Sequence, residues 1–294
     1  MSPVQMKMML ELGTTLCLLL SFIQMSFQKE VVVLDMMPDT FDDQYIGCAD
    51  KMEAVMPKIL EVEMRDDQFA TMWNKSSQEW NRTNFNVPKE FKDEYGIALL
   101  LYTMESPYPI YSQLNRNISI AGQSRDYYMD KFHFKALHFY LTRALQMLRS
   151  NCSTMTQVYR GTNIGPVKVT NEMRFDRFAS SSLSKAKAQK FGQNPFFIIS
   201  TCYGVDIDGY SPYEELEFLI PVGETFNRVS QSGTTYTLKS TRQICSFFNC
   251  TYFGCEKQSS PTCTPEKSSA PGGFSVNRLL FTGMTITVFF IFLF

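Results

Sequence analysis

The spacing of apolar residues predicts helices in the first half of this 294-residue chain. Between residues 134 and 148 the apolar positions recur mostly at intervals of three and four, the spacing of one helix face. They are Phe134, Leu137, His138, Leu141, Leu145 and Leu148. A continuous apolar run at residues 97–101 is consistent with a buried helix. Because His138 lies on the apolar stripe, we interpret it as a core histidine rather than a catalytic one.

Short aromatic and β-branched runs predict strands in the second half of the chain. These runs cover residues 157–160, 175–181, 196–203 and 216–221. Residues 163–166 and 208–212 contain Gly, Pro, Asn and Asp, which favour turns or loops. A helical half that is followed by a strand-rich half favours an α+β fold.

The segment 213–221 carries two acidic residues, Glu215 and Glu217, within an otherwise apolar run. If this segment is a regular strand, both carboxylates lie on one face, with their Cα atoms about 6.5 Å apart. The apolar residues Leu216, Phe218 and Ile220 then lie on the other face and pack into a core. Because like charges on one face repel each other, the arrangement favours a site that binds positive charge. A strand face exposed to solvent is the alternative.

Charge and residue usage restrict the possible functions. The formal net charge is −1, so the chain lacks the basic character of a nucleic-acid-binding protein. The only histidines are His133 and His138, and no Cys-x-x-Cys pair occurs, which argues against a zinc site. The chain has no internal repeat, and its middle part is long enough for one sizeable core or two closely joined lobes.

Both ends of the chain resemble processing signals. Residues 1–26 contain a short apolar segment with small residues after it, as in a secretory signal peptide. Residues 279–294 are mostly apolar and follow the small residues at 268–273, which is the order of a GPI-attachment signal. We therefore expect a signal peptide (1–26), a folded domain (27–257), a linker (258–269) and a GPI-attachment propeptide (270–294). A single C-terminal membrane span is the alternative.

An extracellular location agrees with the use of cysteine. Of the eight cysteines, Cys17 lies in the expected signal peptide and seven remain, which are disulfide candidates in an oxidising compartment. Seven is an odd number, so one thiol is free, pairs between chains or lies in a removed segment. Five Asn-x-Ser/Thr sequons are possible glycosylation sites, the last two less favourable because Cys is the middle residue: Asn74, Asn81, Asn117, Asn151 and Asn249.

Three segments resemble the signature of one enzyme family. An arginine on a predicted strand (157–161), a serine-rich segment (178–183) and the Glu-x-Glu segment occur in this order. Their order and spacing resemble the Arg–Ser–Glu-x-Glu signature of the vertebrate arginine-specific ecto-mono-ADP-ribosyltransferases. Further family-like segments lie at 41–48, 96–103, 132–139 and 201–204. The resemblance extends from about residue 31 to residue 256.

The resemblance implies a fold and two disulfides. The expected ADP-ribosyltransferase fold has an N-terminal helical part packed on two small crossed β-sheets, with NAD in a cleft between them. The implied disulfides are Cys48–Cys250 and Cys152–Cys202. The resemblance leaves the pairing of the three remaining cysteines open: Cys245, Cys255 and Cys263.

The resemblance also implies catalytic roles for four residues. Glu217 holds the ribose 2′-hydroxyl and stabilises the oxocarbenium-like sugar that forms as nicotinamide departs. Glu215 orients the guanidinium of the acceptor arginine. Arg160 contacts the pyrophosphate, although a buried ion pair is the alternative. Ser180 hydrogen-bonds Glu217 and holds the site in shape.

Further cofactor contacts and supporting residues follow from the same resemblance. The backbone of Gly161 meets the nicotinamide carboxamide, and Ser182 supports Ser180. Tyr102 and Gln189 are candidates for NAD contacts, with packing as the alternative. The segment 208–214, which contains Tyr210 and Tyr213, is similar to the loop that meets the target protein; ordinary turn structure is the alternative.

The sequence thus predicts a GPI-anchored NAD–protein-arginine mono-ADP-ribosyltransferase on the outer face of the plasma membrane. It uses NAD as co-substrate without a metal, modifies arginine-containing proteins outside the cell, binds no nucleic acid and is expected to be a monomer. An NAD glycohydrolase with water as acceptor is one alternative. A catalytically silent surface binding protein is another, and the presence of all four signature positions argues against it.

Overall fold

The computed structural model describes residue 5 and residues 31–265, except residues 212 and 214. The rest of the predicted signal peptide and the whole predicted GPI-attachment propeptide lie outside the described residues. Within the described part of the chain, no helix is long and apolar enough to cross a membrane.

Six helices build the first half of the described chain. They are α1 (Ala49–Glu63), α2 (Asp67–Arg82), α3 (Asp93–Thr103), α4 (Ile110–Ala121), α5 (Arg125–Lys131) and α6 (Lys135–Leu148). The predicted helices at 97–101 and 134–148 are confirmed as α3 and α6. Every residue of α3 from Tyr95 to its end is buried, which explains its continuous apolar sequence.

Local chemistry fixes the ends and the close packing of these helices. The side chain of Asp66 accepts a hydrogen bond from the backbone N–H of Phe69 at 2.8 Å and so caps α2. Glu63, at the end of α1, accepts the N–H of Ala136 at 2.8 Å and caps the distant α6. Gly96 of α3 lies against the ring of Trp80, where a Cβ atom would come within 2.1 Å of the indole.

His138 lies in the helical core, as the apolar stripe predicted. It is 1% exposed, and its Nδ1 lies 2.7 Å from the hydroxyl of Tyr45. Burial lowers the pKa of His138 to about 3, so the imidazole is neutral at physiological pH. The interpretation of His138 as a core histidine is confirmed.

The second half of the described chain is built mainly from strands. The strands are β1 (Val32–Leu34), β2 (Thr156–Gly161), β3 (Val167–Val169), β4 (Glu172–Arg174), β5 (Ala179–Ser182), β6 (Phe196–Thr201), β7 (Val205–Asp206), β8 (Glu217–Ile220), β9 (Glu224–Ser232), β10 (Thr235–Ser246) and β11 (Thr262–Pro265). The short helix α7 (Lys185–Lys190) lies between β5 and β6. The predicted α+β class is confirmed.

Nine of these strands form one sheet, eight of them along a single hydrogen-bonded path. Their order is β4-β9-β10-β6-β2-β5-β8-β7, with β11 paired to β10, while β1 and β3 form a separate parallel pair. Strands β2 and β5 are joined by a single residue pair, Tyr159 with Ser182. The two sheets expected from the resemblance are therefore joined into one path at this pair, and the cleft lies beside it.

Three disulfides connect different parts of the described chain. The expected pairs Cys48–Cys250 and Cys152–Cys202 are confirmed. A third disulfide, Cys245–Cys263, joins β10 to β11, so part of the segment expected as a linker is attached to the sheet. Cys255 is exposed and unpaired within the described residues.

Candidate active site

A cleft of about 230 Å³ lies between the helical part and strands β2, β5 and β8. Its lining includes most of the site residues predicted from the sequence: Tyr102, Arg160, Gly161, Ser180, Ser182, Glu215 and Glu217. Arg160 belongs to β2, Ser180 to β5 and Glu217 to β8. The structure therefore brings together three strands that are far apart in the sequence.

Strand pairing fixes the position of Glu217. Strands β5 and β8 are antiparallel, with Ser182 opposite Glu217 and Ser180 opposite Leu219. Opposite residues share a face of the sheet, so these four side chains lie on the same face. Leu219 packs into the helical core, whereas Phe218 and Ile220 pack into the second core on the other side of the sheet.

The Glu-x-Glu segment does not form the regular strand that the sequence predicted. Strand β8 begins only at Glu217, and Leu216 has a left-handed backbone with φ 53°. Leu216 is 40% exposed and does not pack into the core, so the predicted alternation of faces is wrong at this residue. Both carboxylates still line the cleft because the turn, and not a strand, presents Glu215.

Hydrogen bonds from neighbouring elements hold this turn. The hydroxyl of Ser182 donates to the carbonyl oxygen of Glu215 at 2.6 Å. The backbone N–H of Leu183 donates to the carbonyl oxygen of Leu216 at 3.0 Å. The N–H of Glu217 donates to a carboxylate oxygen of Asp208 at 3.2 Å. Ser182 is therefore a positioning residue for the Glu-x-Glu turn.

Glu217 is a buried acid with a perturbed pKa. Its side chain is only slightly exposed, and burial raises its pKa to about 7. A hydrogen bond with Ser180 and the charge of Arg160 act in the opposite direction, whereas the charges of Glu215 and Asp208 raise the pKa further. Perturbed acids in clefts are frequent at functional sites. Burial also raises the pKa of the more exposed Glu215, with the nearby Glu105 as a further cause.

Tyr102 connects the helical part to the strand that carries Ser180. Its hydroxyl donates to the carbonyl oxygen of Phe178 at 3.2 Å and accepts from the Nδ2 atom of Asn115 at 3.0 Å. The hydroxyl oxygen of Ser180 lies 3.4 Å from the same hydroxyl. Tyr102 is thus a packed, hydrogen-bonded residue of the cleft wall, and its predicted contact with NAD remains a prediction.

Arg160 lies beneath the Ser180 strand segment. Its Nη1 atom donates to the carbonyl oxygen of Ser180 at 2.5 Å, and its guanidinium lies over the ring of Phe175 at 5.9 Å. Burial lowers the pKa of Arg160, but an arginine keeps its charge in proteins. Within the described residues Arg160 makes no ion pair, so its charge can contact an anion in the cleft.

Steric crowding explains why the residue after Arg160 is a glycine. A Cβ atom on Gly161 would lie 2.2 Å from the carbonyl oxygen of Ala188 and 2.3 Å from that of Gly192. Glycine therefore lets β2 approach the end of α7, which forms one side of the cleft. Gln189, also in α7, does not line the cleft, and its side chain lies 3.4 Å from that of Gln193.

The two tyrosines of the predicted target-protein loop differ in environment. Tyr210 stacks on Phe85 with ring centroids 5.2 Å apart and packs near Trp80, so it is a packing residue. Tyr213 is exposed and lines the cleft. The sequence analysis did not single out five further lining residues, because their spacing carries no recognisable motif: Glu105, Tyr111, Asn115, Ala188 and Phe191.

The described residues contain no cluster of three or more His, Cys, Asp or Glu side chains that could hold a metal ion. The cleft instead combines one arginine, hydroxyl groups and three carboxylates, those of Glu105, Glu215 and Glu217. This set can bind an anionic, hydroxyl-rich ligand and stabilise a positive charge beside Glu217.

Comparison with known protein families identifies the family of this chain. The model of the family described as "NAD:arginine ADP-ribosyltransferase" matches residues 34–246, which include the whole cleft. The chain belongs to this family. The resemblance noted in the sequence is therefore confirmed.

Individual relatives of this ADP-ribosyltransferase agree with the match. The chain is 38% identical over 286 residues to "Ecto-ADP-ribosyltransferase 5" of Rattus norvegicus, covering 92% of each chain. It is 38% identical over 277 residues to "GPI-linked NAD(P)(+)--arginine ADP-ribosyltransferase 1" of Mus musculus, covering 87% of this chain and 84% of that protein.

A solved structure shares the fold. The crystal structure of the eucaryotic mono-ADP-ribosyltransferase ART2.2 is 36% identical, with a TM-score of 0.68, and covers 75% of this chain and 99% of that chain. A mutant of the same neighbour has been crystallised in complex with NAD. The expected ADP-ribosyltransferase fold is confirmed by this similarity.

Proposed function

We propose that this protein transfers ADP-ribose from NAD to arginine side chains of proteins and releases nicotinamide. The observation that carries the proposal is that Glu215 and Glu217 line the same cleft as Arg160 and Ser180. The reaction needs a positive group for the pyrophosphate of NAD, which a guanidinium supplies. It also needs negative groups for the positively charged ribose and for the acceptor guanidinium, which two carboxylates supply. Membership in the family and the NAD-bound relative support the choice of substrate.

The first step breaks the bond between nicotinamide and ribose. The bonding electron pair leaves with nicotinamide, and positive charge develops on the ribose C1′ atom and its ring oxygen. In this proposal Glu217 accepts a hydrogen bond from the ribose 2′-hydroxyl and stabilises that charge. Its low exposure strengthens the electrostatic effect because water does not screen it well.

The second step forms a bond between C1′ and a guanidinium nitrogen of the acceptor arginine. The arginine loses one proton as the new bond forms, and Glu215, which lines the cleft, orients the guanidinium and accepts that proton. Ser182 holds the backbone of Glu215 for this purpose. Tyr213 is exposed beside it and is proposed to contact the target protein.

The remaining predicted contacts hold NAD. Arg160 is proposed to contact the pyrophosphate, and the backbone of Gly161 the nicotinamide carboxamide. Ser180 is proposed to keep Glu217 in position, and its lowering of the pKa of Glu217 supports that role. Tyr102 and Gln189 remain candidate contacts with NAD; the position of Gln189 outside the cleft lining gives it less support.

Transfer to arginine is tested directly with labelled NAD and agmatine, a small guanidine. We expect the protein purified from cells that express the full chain to form labelled agmatine. Glu215→Gln should reduce this transfer by roughly 100-fold and leave part of the NAD hydrolysis, because Glu217 is unchanged. Free ADP-ribose as the sole product of the wild-type protein would instead identify an NAD glycohydrolase. The absence of both products would favour a silent binding protein.

We further propose that the protein is attached by a GPI anchor to the outer face of the plasma membrane. The names of the relatives and the small-residue segment before the C-terminal apolar run support this location. A GPI-specific phospholipase is expected to release the protein from intact cells. Protein that stays on the cells after this treatment would indicate a membrane span.

A further inference from the structure

One polar atom of Asn115 has no hydrogen-bond partner in the part of the chain that the structure describes. The residue is 8% exposed, belongs to α4 and lines the cleft. Its Oδ1 atom is buried and has no hydrogen-bond partner within the described residues. Six other described residues have a buried polar side-chain atom without a hydrogen-bond partner, and none of them lines the cleft: Thr40, Tyr128, His138, Arg143, Arg228 and Thr251.

The orientation of the Asn115 amide follows from the hydrogen bonds of Tyr102. A phenolic hydroxyl has one proton, and that of Tyr102 is donated to the carbonyl oxygen of Phe178. The hydroxyl oxygen of Tyr102 can therefore only accept from Asn115, which must present its Nδ2 atom, 3.0 Å away. This fixes the carbonyl oxygen Oδ1 of Asn115 as the atom that remains available.

A buried acceptor without a donor is costly, at roughly 1–3 kcal/mol, and native proteins rarely contain one without a reason. In a cleft that opens to a substrate, the missing donor can come from the substrate. The position of Asn115 restricts which part of the substrate is concerned. The Tyr102 hydroxyl lies 3.0 Å from Nδ2 of Asn115 and 3.4 Å from the hydroxyl oxygen of Ser180, and Ser180 in turn lowers the pKa of Glu217.

We propose that Asn115 is a substrate-binding residue whose Oδ1 atom accepts a hydrogen bond from a hydroxyl of the nicotinamide ribose of NAD. This inference rests on the proposed function, which places that ribose beside Glu217. The ribose carries two neighbouring hydroxyls, so Glu217 accepts one of them and Asn115 the other. The Nδ2 atom of the same side chain holds Tyr102, and the two roles together position the sugar against the strand that carries Ser180.

The variant Asn115→Leu tests the contact, because leucine has a similar size and lacks both polar groups. We expect it to raise the KM for NAD and the inhibition constant of ADP-ribose by about fivefold each, the effect of one lost hydrogen bond. The KM for agmatine should stay within about twofold, since the acceptor lies at Glu215. A general structural defect would also raise the KM for agmatine, and not only the two constants for NAD and ADP-ribose.

Gln113→Leu is the matched control. It replaces an amide in the same helix whose side chain pairs with Gln68 at the surface, away from the cleft, so all three constants should match those of the wild type. Unchanged constants for NAD and ADP-ribose in Asn115→Leu would overturn the proposal. A change for NAD alone would assign the contact to the nicotinamide ring, and a change for agmatine alone would assign it to the acceptor; both contradict a ribose contact.

A second measurement does not depend on the variant or on turnover. A crystal structure of the wild-type protein with a non-hydrolysable NAD analogue locates the ribose. Calorimetry measures whether the wild-type protein binds ADP-ribose. We expect Oδ1 of Asn115 within about 3.2 Å of a ribose hydroxyl oxygen. A ribose that lies elsewhere in the cleft would overturn the contact. If ADP-ribose binds as expected while no agmatine is labelled, the ribose contact stands and the proposed transfer fails.

Discussion

Glu217 shows how the environment of one residue sets its chemistry. An exposed glutamate is a carboxylate throughout the physiological range, whereas burial raises the pKa of Glu217 to about 7. In the proposed mechanism the carboxylate form stabilises positive charge on the ribose, and near pH 7 a fraction of the molecules carries the neutral acid instead. The neighbours Ser180 and Arg160 reduce this fraction because both favour the carboxylate.

This predicts a specific pH dependence of activity. Below pH 7 Glu217 is protonated and neutral, and above pH 7 it is charged, so kcat/KM for NAD should rise with pH, with a midpoint near 7. The guanidinium of agmatine stays protonated across this range and does not contribute. Initial rates measured between pH 5 and pH 9 check the prediction. A rate that is constant from pH 5 upward would contradict it.

Ser180→Ala extends the test to the neighbouring residue. The variant removes a hydrogen bond that lowers the pKa of Glu217, so the midpoint of the profile should move to higher pH. A midpoint that moves to lower pH would show that Ser180 does not act on the carboxylate in this way.

At the scale of elements, the turn before β8 is the part of the site that strand periodicity misjudged. Leu216, the residue before β8, has a left-handed backbone conformation, which costs a non-glycine residue about 1–2 kcal/mol. The hydrogen bonds of Ser182 and Leu183 to the two carbonyl oxygens of the turn offset this cost. The turn directs Glu215 towards the open side of the cleft and leaves Glu217 in the ordered strand.

We therefore expect Ser182→Ala to affect the two carboxylates differently. Loss of the hydroxyl frees the backbone of Glu215, so transfer to agmatine should fall by roughly tenfold through poorer orientation. Hydrolysis of NAD should fall less, because strand pairing still holds Glu217. The ratio of labelled agmatine to free ADP-ribose measures this difference. Ser230→Ala, on an exposed part of β9, is the control, and equal losses of transfer and hydrolysis would contradict the expectation.

At the scale of the whole molecule, a buried ion pair joins the segment before α1 to the sheet. Arg174 and Asp42 are fully buried and 2.5 Å apart. Asp42 also accepts the backbone N–H groups of Phe247 and Phe248, and Arg174 donates to the carbonyl oxygen of Met37. Burial raises the pKa of Asp42, and the charge of Arg174 opposes this. The pair connects three regions that are distant in the sequence.

Asp42→Asn should strongly destabilise the fold. The substitution leaves the charge of Arg174 buried without its partner, which typically costs about 3–5 kcal/mol. Urea unfolding monitored by fluorescence, with the disulfides intact, measures the change. Asp39→Asn is the matched control, because Asp39 pairs with Lys257 at the surface and such pairs contribute less than about 1 kcal/mol. Similar losses for both variants would contradict a special role of the buried pair.

The sequence by itself determined what depends on local patterns. The three- and four-residue spacing of α6, the buried run of α3 and the order of Arg160, Ser180 and Glu217 were visible without coordinates. Helix periodicity is a pattern of residues that are close in the sequence, so it can be recognised without knowledge of the tertiary contacts. The disulfides Cys48–Cys250 and Cys152–Cys202 followed from the resemblance rather than from the spacing.

The tertiary structure decided everything that depends on partners distant in the chain. Leu216 has a strand-forming sequence around it, but hydrogen bonds from another element hold it in a turn. Asn115 carries no motif, and only the position of Tyr102 shows which of its two polar side-chain atoms is left without a partner in the described residues. The pKa of Glu217 likewise depends on burial by residues of other strands and helices. These properties arise from contacts across the fold, and the free energy of such contacts is not encoded in the spacing of residues along the chain.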